Sequence, residues 1–221
     1  MSLTRPLLVL LMLLMMLPAA SEEQAWQIEK EQDGIRISSR AVDGWTIREI
    51  RGEARYTGRL SSLVAAINDP AASPELNEFV VESIVQNRER DTRYQLYTLT
   101  KMPWPLADRD VLMQREIAQD PTTLAVIVTD TAVTGGVPEK KDLVRITRSR
   151  QQWTLTPAAD GSVAIELRML TDPNGPIPAS LLNKLSISTP FKTLVKLKEL
   201  GQNPRYALAQ LPFVKGPAAS R

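Results

Sequence analysis

Two prolines that flank a tryptophan interrupt strand-like sequence near the middle of the chain. Residues 101–116 read KMPWPLADRDVLMQRE, and Pro103 and Pro105 are the interrupting residues. Proline has no amide hydrogen for a sheet ladder, so a strand that reaches Met102 must end there, and the next is expected to begin after Asp110. The sequence therefore predicts a strand, a rigid corner and a second strand.

The second of these strands alternates along its length. Val111, Met113, Arg115 and Ile117 share one face by strand periodicity, and the residues between them share the other. Arg115 is thereby placed among apolar side chains. A charge in such a position needs a partner or a ligand.

Cysteine and histidine are both absent from the sequence. This excludes zinc sites built on thiolate or imidazole, Ser-His-Asp and Cys-His nucleophiles, and a histidine general base. Gly135-Gly136 reads as a turn rather than as a phosphate-binding loop. We therefore expect no metal, no cofactor and no catalytic residue, and a fold held by its core rather than by disulfides.

The charge is nearly balanced, with 27 basic and 25 acidic residues. A nucleic-acid-binding protein would need a basic surplus or a basic stripe, so no nucleic-acid partner is expected. Antiparallel pairing can be completed within the predicted sheet. We therefore expect a monomer.

Residues 1–21 read as a secretory signal peptide. Arg5 supplies the positive start, residues 7–17 are apolar, and small residues follow. The apolar run is shorter than the roughly twenty residues that span a bilayer. We expect cleavage near Ala20 or Ser21 and a periplasmic or secreted protein, with an uncleaved membrane anchor as the alternative.

The remaining length suits one domain, expected over residues 22–203, with a loosely held tail over residues 204–221. Helices are predicted over residues 22–32, 59–68 and 178–200. Strands are predicted over residues 35–37, 47–56, 80–88, 94–102, 111–118, 124–132, 143–155 and 163–170. From residue 80 onward they form a long antiparallel meander.

The string PWPLADRD at residues 103–110 resembles an element of the START (StAR-related lipid transfer) domain. Further strings resemble later landmarks of that family in the same order: VPEKK at 137–141, VR at 144–145, WTLTP at 153–157, DPNGPIP at 172–178 and LN at 182–183. The resemblance runs from about residue 26 to about residue 200. It implies an α+β helix-grip fold, in which a curved antiparallel β-sheet wraps around a long C-terminal α-helix and leaves an internal hydrophobic cavity.

The cavity arises because a concave sheet cannot pack fully against one helix. An apolar chamber with a few polar groups suits a lipid, a sterol or another hydrophobic ligand. A solid core is the alternative at each position. The residues expected to bind the ligand are Leu96, Thr98, Val111, Met113, Arg115, Ile117, Ile165, Leu167, Met169, Leu182, Leu185 and Thr189.

Similarity to START domains places Arg115 where animal sterol-binding members carry a buried arginine that faces an acidic residue. Leu96 occupies the strand position of that acid here. Another carboxylate then compensates, or Arg115 binds an anionic ligand. A third alternative is that Arg115 reaches solvent near the strand end.

Two further features have expected roles. Arg109 and Asp110 are expected to form a structural pair that fixes the corner, and the loop over residues 134–142 to act as a mobile lid over the cavity. Lys140 and Lys141 at its tip are candidates for transient contact with an anionic membrane surface.

The function expected from these features is binding and transport of a hydrophobic ligand without catalysis. One alternative is a cyclase-like helix-grip enzyme, which would need an inward-facing carboxylate or tyrosine. The other is a cell-envelope module that binds a protein partner and has a collapsed cavity.

Overall fold

One ten-stranded sheet dominates the computed structural model, which describes residues 25–216. The predicted signal peptide lies outside the described residues. The strands are β1 (Gln27–Gln32), β2 (Ile35–Ala41), β3 (Arg48–Thr57), β4 (Val80–Arg90), β5 (Arg93–Thr100), β6 (Asp108–Gln119), β7 (Val126–Ala132), β8 (Leu143–Arg145), β9 (Arg148–Pro157) and β10 (Ser162–Asp172). The helices are α1 (Leu60–Asn68), α2 (Ser73–Leu76), α3 (Ala179–Gln202) and α4 (Pro204–Ala207), with a 3₁₀ turn over Pro70–Ala72.

The strand order is β1-β2-β3-β10-β9-β7-β6-β5-β4, and each neighbouring pair is antiparallel. The predicted meander is present from β4 to β10, and β3 joins it beside β10. The short strand β8 lies off this path and pairs in parallel with the start of β6. The predicted helix-grip architecture is confirmed: the antiparallel sheet packs around the long helix α3.

The helix α3 approaches the sheet most closely at β3. A β-carbon at Gly52 would lie 2.8 Å from Leu194 Cδ1, so only glycine permits this approach without a shift of the leucine. The Tyr56 hydroxyl donates a hydrogen bond to the Leu194 carbonyl at 2.8 Å. Both leucines at the centre of the contact, Leu194 and Leu197, are fully buried. Burial of such side chains stabilises the fold by roughly 1.5–3 kcal/mol each.

The helix predicted over residues 22–32 is wrong where the structure describes it, because residues 27–32 form β1. Asp33 and Gly34 both have positive φ, 54° and 75°, as a two-residue hairpin turn requires. That turn pairs β1 with β2. The hairpin signal Asp-Gly was visible in the sequence, and it outweighs a weak helical pattern around Ile28.

The predicted corner is present, with different limits. The strand β5 ends at Thr100 and β6 begins at Asp108, before the expected restart. The Asp108 side chain explains the early start, since its Oδ1 accepts a hydrogen bond from the Met102 amide at 2.9 Å and ties the two ends of the corner together. The strand predicted over residues 143–155 is divided into β8 and β9.

Residues 204–216 are not the loose tail that the sequence predicted. Tyr206 in α4 is buried and donates a hydrogen bond to Asp69 Oδ2 at 2.7 Å. Further along, Lys215 exchanges hydrogen bonds with the Gln119 side chain at 2.7 and 2.8 Å. These contacts tie the segment to the domain. Within residues 25–216, no helix combines the length and apolar character needed to cross a bilayer.

Candidate ligand cavity

A cavity of about 270 Å³ lies between the curved sheet and the helices. Side chains from β5, β6, β9 and β10 form most of its wall, and α1, α2 and α3 close it. Seven predicted ligand residues lie together in this lining: Leu96, Thr98, Val111, Met113, Arg115, Leu167 and Met169.

The other predicted ligand residues lie outside the cavity. Ile117 and Ile165 belong to the solid core. Leu182 and Thr189 line separate surface grooves beside α3, and Leu185 is partly exposed on the same helix. Only Thr193 of α3 reaches the cavity, because the first half of the helix passes beside it.

Several lining residues were missed by sequence reasoning. Trp153 and Ser149 lie on the cavity face of β9, and Thr171 continues the face of β10 that holds Met169. Extending the alternation of β10 by two residues would have identified Thr171. The sequence around Leu76 gave no indication that this residue lines the cavity, since the position of a four-residue helix such as α2 depends on the packing around it.

Arg115 is buried at one end of the cavity and is neutralised by Asp130. The Arg115 guanidinium donates to both Asp130 oxygens, at 2.7 and 2.8 Å, and also to the Ile67 carbonyl at 2.8 Å. Burial alone would lower the pKa of Arg115, but attraction and hydrogen bonding to Asp130 raise it above its ordinary value. Of the three alternatives, compensation by another carboxylate is the one observed.

Arg109 is also buried in the lining, but its hydrogen bonds go to backbone carbonyls. Its guanidinium donates to the carbonyls of Ala107, of Pro173 at 3.4 Å and of Asn174 at 3.2 Å. Burial lowers the pKa of Arg109, and the negative charge of nearby Asp108 opposes that effect. Arg109 thus connects the corner with the turn before α3.

Asp110 is on the opposite face of β6, so the predicted Arg109-Asp110 pair is wrong. Both Asp110 oxygens accept hydrogen bonds from Arg145, at 2.7 and 2.9 Å, and Tyr97 donates a third at 3.1 Å. Successive residues of a strand point to opposite faces, which separates the two side chains. Each is structural, but with its own partners.

The loop over residues 134–142 does not cover the cavity. Arg145 donates to its Val137 and Pro138 carbonyls, each at 3.2 Å, and Lys140 Nζ lies 5.2 Å from the centre of the Tyr97 ring. These contacts hold the loop against the outer face of β5 and β6. The predicted lid is therefore wrong, because the loop packs on the opposite side of the sheet.

The proline corner forms part of the cavity rim. Met102 lines the cavity, while Trp104, two residues later, is 93% exposed. A tryptophan this exposed contributes little to the core. Trp104 therefore does not pack under the corner.

Few ionisable side chains line the cavity. Among the described residues that line the cavity, Asp130 is the only one with a carboxylate, and both its oxygens are bound by Arg115. Among residues 25–216, no cluster of acidic side chains is arranged to hold a metal ion. The remaining polar groups are mainly hydroxyls and amides, which can orient a ligand by hydrogen bonding.

A curved sheet that holds a long C-terminal helix and a lined cavity defines the helix-grip class of domain. A sequence profile of the START domain matches residues 12–206. The chain belongs to the START domain family.

Individual relatives agree with this assignment. A StAR-related lipid transfer protein from Xanthomonas axonopodis is 31% identical, with a TM-score of 0.73, and the match covers 80% of this chain and 99% of that one. Human STARD10 has a TM-score of 0.71 at 22% identity, covering 80% of this chain and 72% of that one, and shows the shared fold. An uncharacterised protein of Pseudomonas aeruginosa is 25% identical over 179 residues, which is 80% of this chain and 87% of that protein.

Proposed function

We propose that this protein binds a lipid or another hydrophobic molecule in the internal cavity and carries it without changing it chemically. The observation that carries the proposal is the mainly apolar chamber between sheet and helices, in a chain of the START family. The name of the Xanthomonas relative, a lipid transfer protein, supports the same class of ligand.

The size of the chamber limits the ligand. Its volume of about 270 Å³ is slightly below the roughly 300–1,000 Å³ of typical ligand pockets. A single-chain or compact ligand therefore fits better than a lipid with two long chains. Burial of a methylene group contributes about 0.8 kcal/mol, so a chain of about ten carbons provides substantial affinity without polar contacts.

The polar groups of the chamber favour binding over catalysis. A general base must lie within hydrogen-bond reach of the proton that it takes from the substrate. Both Asp130 oxygens are already held by Arg115. A cyclase-like reaction would need another acidic residue or a tyrosine, and among residues 25–216 the lining contains neither.

Export and membrane contact complete the proposal. The sequence of residues 1–21 supports transport out of the cytoplasm. In the cell envelope, a carrier could move hydrophobic molecules between membranes. The exposed Trp104 at the cavity rim supports transient contact with a membrane, since tryptophan favours the membrane interface.

The protein is proposed to work as a monomer. Among the described strands, β1 and β4 are the edges of the sheet, and β4 contains three register shifts along its pairing with β5. Such irregularities hinder pairing with another strand. Sedimentation analysis should give the mass of one chain, and a dimer would contradict this part of the proposal.

The central experiment is native mass spectrometry of protein purified from its own cell envelope, followed by release and identification of bound molecules. A stoichiometric hydrophobic ligand is expected. Delipidated protein should also take up lipids from an extract. Protein that arrives empty and resists loading would contradict the proposal and favour a module that binds a protein partner.

A further inference from the structure

Arg109 differs in its partners from Arg115, which is also buried, and from Arg145, which is partly buried. Arg115 and Arg145 each bind both oxygens of an aspartate. Arg109 is 2% exposed, and its hydrogen bonds all go to backbone carbonyls. Within the part of the chain that the structure describes, no carboxylate forms an ion pair with it. A carbonyl carries only a dipole, and nearby Asp108 acts on Arg109 without forming an ion pair, so this buried positive charge is only partly compensated.

The surroundings of Arg109 make one end of the cavity polar. Thr100, its cross-strand partner on β5, also lines the cavity. On the neighbouring strands, the Ser149 and Thr171 hydroxyls lie 2.7 Å apart and both line the cavity. A guanidinium and several hydroxyls together match the hydrogen-bonding needs of an anionic oxygen group.

Between Arg109 and the neutralised end, the residues that β6 contributes to the cavity lining are apolar. Arg115 follows Arg109 by six positions along β6, which corresponds to roughly 20 Å at the rise of a strand. Val111 and Met113 lie between them on the same face, opposite Trp153 and Leu167 in the lining. The β6 face of the chamber is therefore apolar in its middle, with a cation that makes no ion pair at one end and a neutralised cation at the other.

We propose that the ligand is a single-chain amphiphile whose anionic end group, a carboxylate or a phosphate, binds Arg109, with its chain directed toward Arg115 and Asp130. This inference rests on the proposed function and adds the chemical class of the ligand. The guanidinium has five N–H donors. The carbonyl contacts of Arg109 account for three of them. Two donors therefore remain for an anionic oxygen.

Equilibrium dialysis with three ligands of equal chain length tests the proposal on the delipidated protein. The probes are myristate, monomyristyl phosphate and myristyl alcohol. One or both anions should bind roughly ten- to a hundredfold more tightly than the alcohol, as a charge-assisted hydrogen bond predicts. The stronger anion identifies the end group.

Substitutions at Arg109 test whether the anionic group of the ligand binds there. Arg109→Gln should weaken binding of the anion far more than binding of the alcohol, and Arg109→Lys should retain part of the preference for the anion. Arg90→Gln, at an exposed position of β4, is the matched control and should behave as the wild type. Circular dichroism and thermal unfolding verify that each variant is folded.

A second measurement does not depend on these variants. Myristate with an isotope-labelled carboxyl carbon reports its own ionisation by NMR, and contact with Arg109 should lower the pKa of the bound carboxyl relative to the free acid. Equal affinity of the wild type for acid, phosphate and alcohol overturns the inference and leaves the hydrophobic carrier function in place. If the protein binds none of the three probes, both the inference and the hydrophobic carrier function are overturned.

Discussion

Arg115 on β6 and Asp130 on β7 stand directly opposite each other, and both Asp130 oxygens accept hydrogen bonds from the Arg115 guanidinium, at 2.7 and 2.8 Å. Their side chains are only 7% and 3% exposed. The pair closes one end of the cavity, and Ile117, two residues further along β6, belongs to the solid core. The same contact thus neutralises a buried charge and limits the length of the chamber.

Breaking this pair should strongly destabilise the protein. Asp130→Asn or Arg115→Met leaves one buried polar group without its partner, which costs about 3–5 kcal/mol. Urea denaturation measures the free energy of unfolding. The double variant Arg115→Met, Asp130→Leu should lose less than the sum of the single changes, because no isolated charge remains. Additive losses would contradict this account.

A surface pair supplies the control for that series. Lys196 and Glu199 on α3 form an ion pair at 2.7 Å with both side chains more than half exposed. Glu199→Gln should change the free energy of unfolding by less than about 1 kcal/mol.

The contribution of Asp110 should depend on pH. Burial alone would raise the pKa of Asp110, but hydrogen bonds and attraction from Arg145, with a hydrogen bond from Tyr97, lower it below the ordinary value. The folded protein therefore favours the ionised form, so the resulting stability is present above about pH 5. It is lost as the pH falls below the unfolded value of about 3.9 and through the folded pKa.

The variant Asp110→Asn isolates this effect. Its free energy of unfolding should fall furthest below that of the wild type at neutral pH, and the difference should shrink as the solution is acidified. Asp91→Asn, in the exposed pair with Arg88, serves as the comparison and should have little effect at neutral pH. A difference between wild type and Asp110→Asn that stays constant from neutral pH to about pH 3 would count against the assignment.

Filling the cavity should weaken ligand binding. Thr98→Phe places a ring in the chamber, and affinity should fall at least about tenfold, equivalent to about 1.4 kcal/mol. Thr131→Phe makes the same change at an exposed position of β7. Its affinity should equal that of the wild type. If both variants bind as the wild type does, the ligand lies elsewhere.

Contact with a membrane should depend on the corner tryptophan. Trp104→Ala removes a side chain that is 93% exposed at the rim, so binding to phospholipid vesicles and the rate of ligand transfer should fall roughly tenfold. Affinity for the ligand in the absence of vesicles should not change. Leu208→Ala, at a 79% exposed apolar position that follows α4, is the control. Equal losses in the two variants would refute a specific role for the corner.

The sequence predicted the cavity face of β6 but not the partner of Arg115. Strand alternation was sufficient to place Val111, Met113 and Arg115 on one face. The acid was sought at Leu96 on β5, whereas Asp130 comes from the strand on the other side of β6. Which side supplies a counter-charge depends on the pairing of several strands, and alternation within one strand does not contain that information.

The other incorrect predictions concern a loop and an edge strand of the sheet. The glycines and lysines of residues 134–142 are compatible with a lid, and the contacts with Arg145 that place the loop on the outer face depend on the tertiary fold. Similarly, β1 is a strand because β2 lies beside it. The overall fold was predictable because the long strands and α3 have strong patterns and their order resembles that of a known family.

The pairing of β3 with β10 joins the two ends of the domain. The chain is made from its amino terminus, so β1, β2 and β3 exist long before their partner strand does. Until β10 arrives, β3 has an open edge that can pair with other chains. Closure of the sheet is therefore a late step. It is also a slow step, because contacts between distant segments form slowly. A newly made chain would therefore depend on protection from aggregation until its last third has been synthesised.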